Sequence, residues 1–122
     1  LAGSFNVSIV DVESHSNFNS GLHVDRSRNI TVIGLRSNPS GSNNGGDDLE
    51  VHNTNNSFFY NISIYSNTVD FSDSNGSVID GIYAMDDSNV ELEMTGSSHN
   101  FFRSTEFTCS GSNCVSFTGT PS

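Results

Sequence analysis

The chain has 122 residues, 33% of them hydrophobic, and its fourteen Asp and Glu residues against four arginines and no lysine give a formal net charge of −10. This length suits one domain with a thin apolar core, as in repeat architectures. The charge argues against a nucleic acid or an anionic bilayer as partner, because few side chains could neutralise phosphates. No apolar run approaches the roughly 20 residues of a membrane span, so no membrane insertion is expected.

The first predicted element is a partial repeat. The stretch "FNVSIVDV" carries Asn6, Val7 and Ile9 in the pattern that ends each later repeat, but the residues that should precede them are missing. The closing stretch "FTGTPS" contains no capping helix. We therefore expect residues 1–122 to form a single repeat domain, or a fragment of a longer one, with uncapped ends.

One phrase then recurs along the chain: "LHVDRSRNITVIG" from Leu22, "LEVHNTNNSFFYN" from Leu49, "IYAMDDSNVELEM" from Ile82 and "FTCSGSNCVSFTG" from Phe107. Apolar residues alternate on both sides of a polar break, which predicts two short strands and a tight turn in each repeat. The phrases start 27, 33 and 25 residues apart, the length of a solenoid coil. No stretch keeps an apolar period of 3.6 residues, so no helix is predicted.

The polar break holds an asparagine at one position of three phrases and of the partial repeat: Asn6, Asn29, Asn56 and Asn89. The phrase "GLHVDRSRNITVIG" resembles one coil of the pectate-lyase-like superfamily, and the resemblance covers about residues 5–119. It implies an all-β fold, a right-handed parallel β-helix (solenoid) of about four to five coils. It also implies that these four asparagines point inward and stack as a buried ladder. An antiparallel sandwich of short strands is the alternative fold.

The stretch "GGDDLEV" is similar to the Gly-Asp-Asp motif of polygalacturonases, which hydrolyse glycosidic bonds with paired carboxylates on this fold. The resemblance is partial. Where those enzymes carry Asn-Thr-Asp and Gly-His-Gly in the neighbouring coils, this chain has Asn19-Ser20-Gly21 and Asp80-Gly81-Ile82, and it has no lysine for the Arg-x-Lys motif. We therefore expect no enzyme activity and no catalytic residues.

The same aspartates are candidate metal ligands. Asp47 and Asp80 each precede a predicted strand by two residues on successive coils, so their carboxylates should stack, with Asp48 beside them. Like charges this close favour a bridging hard cation. The sequence predicts a candidate calcium site at Asp47, Asp48 and Asp80 and no other cofactor; the alternative is that the carboxylates splay into water.

Two kinds of surface residue remain. The four histidines, His15, His23, His52 and His99, have no constant spacing and are interpreted as solvated residues rather than ligands. Phe58, Tyr60 and Ile33 should point outward from their strands, and mark either a face covered by a loop or a partner surface.

Cys109 and Cys114 lie close together in "CSGSNC", and no second cysteine pair completes a zinc site. We predict a local disulfide and hence an oxidising compartment. Sequons begin at five asparagines, of which Asn75, then Asn61 and Asn55, are expected to be glycosylated, whereas Asn6 and Asn29 should be bare if the inward ladder forms.

These features favour a non-catalytic structural or interaction module of an extracellular or cell-surface glycoprotein, such as a unit of a fibre, appendage or adhesin. Its expected partners are other protein chains or further coils of the same assembly, and glycans. The alternative function is a carbohydrate-active enzyme or a carbohydrate-binding module on the same fold.

Overall fold

A computed structural model describes residues 1–37, 44–65, 68–86, 92–109 and 114–118. The described residues form thirteen strands: β1 (Ser8–Val10), β2 (Glu13–Ser14), β3 (Leu22–Asp25), β4 (Thr31–Ile33), β5 (Arg36–Ser37), β6 (Leu49–His52), β7 (Phe58–Ile64), β8 (Val69–Ser72), β9 (Val78–Asp86), β10 (Leu92–Thr95), β11 (Phe101–Arg103), β12 (Glu106–Cys109) and β13 (Val115–Thr118). They include no helix that could cross a membrane.

The strands stack into a parallel β-solenoid of about four turns, which confirms the predicted all-β solenoid. A five-stranded sheet has the order β13-β10-β8-β6-β3. In the eight-stranded sheet β1, β4, β7, β9 and β11 stack in succession, while β2 and β5 stack on the second half of β7 and β12 stacks on β9. Each turn of chain therefore contributes one strand to the first sheet and one or two to the second.

The turns repeat in a register that differs from the predicted one. In the five-stranded sheet Leu22 pairs with Leu49, Leu49 with Val69, Val69 with Leu92 and Leu92 with Val115. The third and later repeats therefore start at Val69, Leu92 and Val115. The predicted starts at Ile82 and Phe107 are wrong, because both residues lie in the eight-stranded sheet, in β9 and β12. Strands on every side of a solenoid alternate with the same period of two, so apolar alternation alone does not identify the side.

Side chains at alternate strand positions point inward and fill the interior of the solenoid. Phe59, Phe71 and Phe102 form a chain of edge-to-face ring contacts through the middle turns, with centroids 5.4 and 6.2 Å apart. Aliphatic side chains from both sheets surround them, among them Val24, Val32, Leu49, Val51, Ile62, Ile79 and Leu92. Each sheet contributes a single layer of inward side chains to the core, and a chain of low hydrophobic content can therefore fill it.

Each turn bends at corners where the backbone adopts the left-handed conformation. In the turn that begins at Leu49 these are Asn53 (φ 47°), Asn56 (φ 53°) and Asn61 (φ 55°). Neighbouring turns place Gly, Asp, Asn and, less favourably, Arg, Ser or His at the equivalent positions. Asn, Asp and Gly tolerate this conformation better than other residues, which accounts for their abundance in the polar breaks.

The predicted inward asparagine ladder is wrong for its three members among the described residues; Asn89 lies outside them. Asn6, Asn29 and Asn56 occupy exposed corners with positive φ. Asn29 does donate a hydrogen bond from Nδ2 to Oδ1 of Asn6 (3.1 Å), but in an exposed position. A left-handed residue at the corner turns its side chain outward, and the residues next to the corners point inward instead.

Hydroxyl groups form the interior ladder. Going from turn to turn, the backbone N–H groups of Ser4, Ser27, Thr54 and Ser74 donate to the side-chain hydroxyls of Ser27, Thr54, Ser74 and Ser97, at 3.0, 3.4, 3.0 and 2.9 Å. Each hydroxyl also donates to a backbone carbonyl two residues earlier. These hydrogen bonds provide acceptors for backbone N–H groups at the turns, which lie outside both sheets.

Candidate functional site

The outward face of the five-stranded sheet collects acidic and imidazole side chains. The in-register column His23, Glu50, Asp70 and Glu93 runs across four strands, because each residue pairs with the next. His52 lies two residues beyond Glu50 and faces the same way, and Asp47 precedes the same strand. We call these six residues the His–acid face: His23, Asp47, Glu50, His52, Asp70 and Glu93.

Glu50 lies at the centre of this face. Its Oε2 is 3.2 Å from Nδ1 of His23 and accepts a hydrogen bond from the Ser20 hydroxyl, while its Oε1 is 3.3 Å from Nε2 of His52. Nε2 of His52 is also 3.0 Å from Oδ2 of Asp70. One carboxylate therefore contacts two imidazoles, and one of these imidazoles contacts a second carboxylate.

Asp47 shows the electrostatic cost of this arrangement. Its carboxylate lies close to those of Glu50 and Asp70, with oxygen atoms within 4.8 Å of one another. Partial burial, followed by the charges of Asp70, Glu50 and Glu93, raises the pKa of Asp47 to about 6, against a smaller opposing effect of His52. Like charges and desolvation both disfavour the ionised form.

The structure does not assemble the predicted calcium site. Asp80 lies in β9, where it is paired in register with Tyr60 and forms an ion pair with Arg103. The Asp48 side chain is buried and accepts a hydrogen bond from Nδ2 of Asn44 (2.8 Å). Only Asp47 belongs to the His–acid face. The predicted stack of Asp47 and Asp80 is wrong because Asp47 precedes β6 of the five-stranded sheet, whereas Asp80 lies in β9 of the other sheet.

Sequence reasoning missed Glu50, Asp70 and the role of two histidines. His23 and His52 are in contact, with ring centroids 5.3 Å apart, rather than separately solvated. His15 and His99 lie elsewhere and contact the hydroxyls of Ser16 and Ser98. The signal that could have found the site is the alignment of "LHVD", "LEVH" and "VDFS", which places His23, Glu50 and Asp70 in one column.

The eight-stranded sheet presents a different outer surface, which we call the aromatic face: Val10, Ile33, Phe58, Tyr60, Val78 and Phe101. Register places Val10, Ile33 and Tyr60 in one column, and Phe58, Val78 and Phe101 in the next. Val10, Tyr60 and Phe101 are 55, 45 and 56% exposed, and the rings of Phe58 and Tyr60 stack with centroids 6.0 Å apart. The expected outward direction of Phe58, Tyr60 and Ile33 is confirmed.

A cleft adjoins this face at Tyr60. Asp80 and Arg103 are the charged residues that line this cleft. Its other lining residues are Asn61, Gly81 and Ser104. The hydrogen bond with Arg103 and the charge of Arg103 lower the pKa of Asp80, and the same hydrogen bond and the charge of Asp80 raise the pKa of Arg103. The cleft thus combines an aromatic ring with a fixed pair of opposite charges.

The predicted disulfide is confirmed: Cys109 and Cys114 are bonded, with Cα atoms 5.5 Å apart. The bond joins β12 to the residue that precedes β13.

The sequon asparagines differ in accessibility. Asn61 is exposed at a corner. Asn55 and Asn75 are half-buried, and their Oδ1 atoms accept backbone N–H groups of the next turn, from Asn75 (3.0 Å) and Ser98 (2.7 Å). Glycosylation of all three remains a prediction, with Asn61 now the most accessible. The argument that Asn29 must be bare no longer applies, because its side chain is exposed.

Comparison of the chain with protein-family models, curated proteins and solved structures gives no match.

Proposed function

We propose that this chain is a non-catalytic structural and interaction module of an extracellular or cell-surface assembly, in which copies of the chain or further coils pack against it. The observation that carries the proposal is the aromatic face. Six apolar side chains lie side by side across the turns of a parallel sheet, and three of them, Val10, Tyr60 and Phe101, are about half exposed. A contiguous exposed apolar surface of this kind is typical of a protein–protein contact.

The regular sheet makes this face suitable for association. In-register strands about 4.8 Å apart keep its side chains in straight columns, so a second solenoid can present matching columns without rearrangement. Coils stacked on the terminal strands would extend both sheets in the same way as the described turns extend each other. The disulfide supports an oxidising compartment, and the parallel coils support membership of the pectate-lyase-like superfamily.

The test is self-association measured by sedimentation velocity over a range of protein concentrations. We expect the wild-type chain to form a concentration-dependent dimer or larger species. Val10→Glu and Phe101→Glu, which place charges at two positions of the aromatic face, should shift the population to monomer. Their outward positions keep the core intact.

Ser63→Glu is the matched control, because Ser63 lies on β7 of the same sheet but outside the aromatic face. This variant should associate like the wild type. A wild-type chain that stays monomeric at every concentration, or a control that dissociates as fully as Phe101→Glu, would contradict the proposal.

The cleft at Tyr60 favours a second candidate, a carbohydrate-binding module. Sugar sites combine an aromatic surface with a few fixed polar groups, and Tyr60 with the Asp80–Arg103 pair has this composition. Release of reducing ends or unsaturated uronates from pectic or alginate polymers would instead favour a carbohydrate-active enzyme.

A further inference from the structure

The His–acid face brings two imidazoles and a carboxylate to one point. His23 on β3 and Glu50 on β6 are register partners, and His52 follows Glu50 by two residues on the same face. One ring nitrogen of His23, one ring nitrogen of His52 and a carboxylate oxygen of Glu50 all lie within 4.8 Å of one another. The three ligand atoms are carried by two adjacent, paired strands, so their backbone positions are fixed by the sheet.

The distances fit a metal ion. In a tetrahedral site with metal–ligand bonds of about 2.0–2.1 Å, neighbouring ligand atoms lie roughly 3.4 Å apart. Nδ1 of His23 lies 3.2 Å from Oε2 of Glu50, and Nε2 of His52 lies 3.3 Å from Oε1 of the same carboxylate. Oδ2 of Asp70, 3.0 Å from Nε2 of His52, can provide a fourth ligand atom. The ligand groups therefore already lie close to the spacing that a bound cation requires.

We propose that His23, Glu50 and His52, with Asp70 as the fourth ligand, bind a divalent transition-metal cation of the zinc class. Imidazole nitrogens select such cations over calcium and magnesium, which prefer oxygen ligands. The remaining carboxylates of the face, Asp47 and Glu93, add negative charge around the same point, and a dication reduces their mutual repulsion. The site does not depend on the proposed function of the aromatic face.

Isothermal titration calorimetry tests the proposal with ZnCl₂ added to chain freed of metal by EDTA and desalted, and with CaCl₂ in a parallel titration. We expect one zinc ion per chain and calcium binding at least about tenfold weaker. His23→Gln and His52→Gln should each lower zinc affinity by at least about tenfold. Co²⁺ should give visible absorption bands with the wild type that His52→Gln removes.

His15→Gln is the matched control, since His15 is an exposed histidine outside the face. It should bind zinc like the wild type, and thermal melts should show that all three variants are folded. Absence of zinc binding would overturn the proposal. So would zinc binding that His23→Gln and His52→Gln leave unchanged, or calcium binding as tight as zinc binding, because each of these results would assign any cation to the carboxylates alone.

Discussion

Asp47 lies beside other carboxylates in a half-buried position, and its pKa is raised to about 6. In the unfolded chain its pKa should be near 3.9. The folded state therefore binds this proton more tightly than the unfolded state does. The contribution of Asp47 to stability is fully present below about pH 4, is lost as the pH rises through about 6, and is constant above that.

Asp47→Asn should consequently raise the free energy of unfolding at about pH 7.5 and leave it nearly unchanged at about pH 4. A pKa difference of roughly two units sets an upper limit of about 3 kcal/mol, and because solvent screens this partly exposed group we expect about 1 kcal/mol. Urea unfolding at the two pH values, with EDTA present to exclude metal, measures the difference.

Glu106→Gln provides the control for removing one negative charge from a highly acidic chain, because Glu106 is exposed on β12, away from the His–acid face. Its effect should be small at both pH values. An Asp47→Asn gain at pH 4 equal to that at pH 7.5 would show that the benefit is not electrostatic.

At the scale of the element, the sequence predicted where strands form better than it predicted which of the two sheets each strand joins. The repeats at Leu22 and Leu49 were correctly placed, since both begin β3 and β6 of one sheet. The next repeat was placed at Ile82 instead of Val69 because its turn is shorter: Ser57 and Ser77, which are equivalent, are 20 residues apart, against 27 for Ile30 and Ser57. Apolar alternation with a period of two does not indicate how many residues each turn of the solenoid contains.

The inward hydroxyls were also missed, since serine and threonine are usually interpreted as surface or turn residues. Ser27, Thr54 and Ser74 are nevertheless 3, 0 and 0% exposed. Only the hydrogen-bonding requirement of the turn backbone explains their burial, and that requirement becomes visible once the turns are aligned correctly.

Ser74→Ala tests the hydroxyl ladder. The Ser74 hydroxyl accepts the N–H of Thr54 and donates to the carbonyl of Ser72, both at 3.0 Å. Removing it leaves a buried N–H without its partner, and we expect a loss of about 1–3 kcal/mol in the free energy of unfolding, measured by urea denaturation. Ser63→Ala, at an outward position of β7, should change stability by less than about 0.5 kcal/mol. Equal losses in the two variants would contradict a structural role for the ladder.

At the scale of the whole molecule, the fold class could be predicted but the candidate sites only in part. Alternation and coil length are local features that the sequence displays, and they predicted short strands in repeats of solenoid length; the parallel arrangement was implied by the resemblance of "GLHVDRSRNITVIG" to a coil of the pectate-lyase-like superfamily. The His–acid face depends on which turns are neighbours, and so on register. Asp47 was identified as a candidate ligand from its own sequence context, whereas Glu50 and Asp70 become neighbours only when Leu49 is paired with Val69.

The strand register also shows how stability is distributed along the turns of the solenoid. Each described strand is hydrogen-bonded only to strands of adjacent turns, as β10 is to β8 and β13. Stability in such a molecule is approximately a sum of turn and nearest-neighbour contributions. A local change should therefore act on its own turn and the next, and leave distant turns unaffected.

Replacing both cysteines, Cys109→Ala with Cys114→Ala, tests this behaviour. The disulfide closes a short loop between β12 and β13, and its removal should cost about 2 kcal/mol by the chain-entropy relation. Hydrogen exchange followed by mass spectrometry should show faster exchange of the amides in β10, β12 and β13, with β3 and β4 unchanged, because the lost constraint acts on the last described turn. Wild-type chain with the disulfide reduced should behave in the same way. Faster exchange by the same factor in β3 and β4 would mean instead that the chain unfolds as one cooperative unit, in which the disulfide stabilises every turn equally.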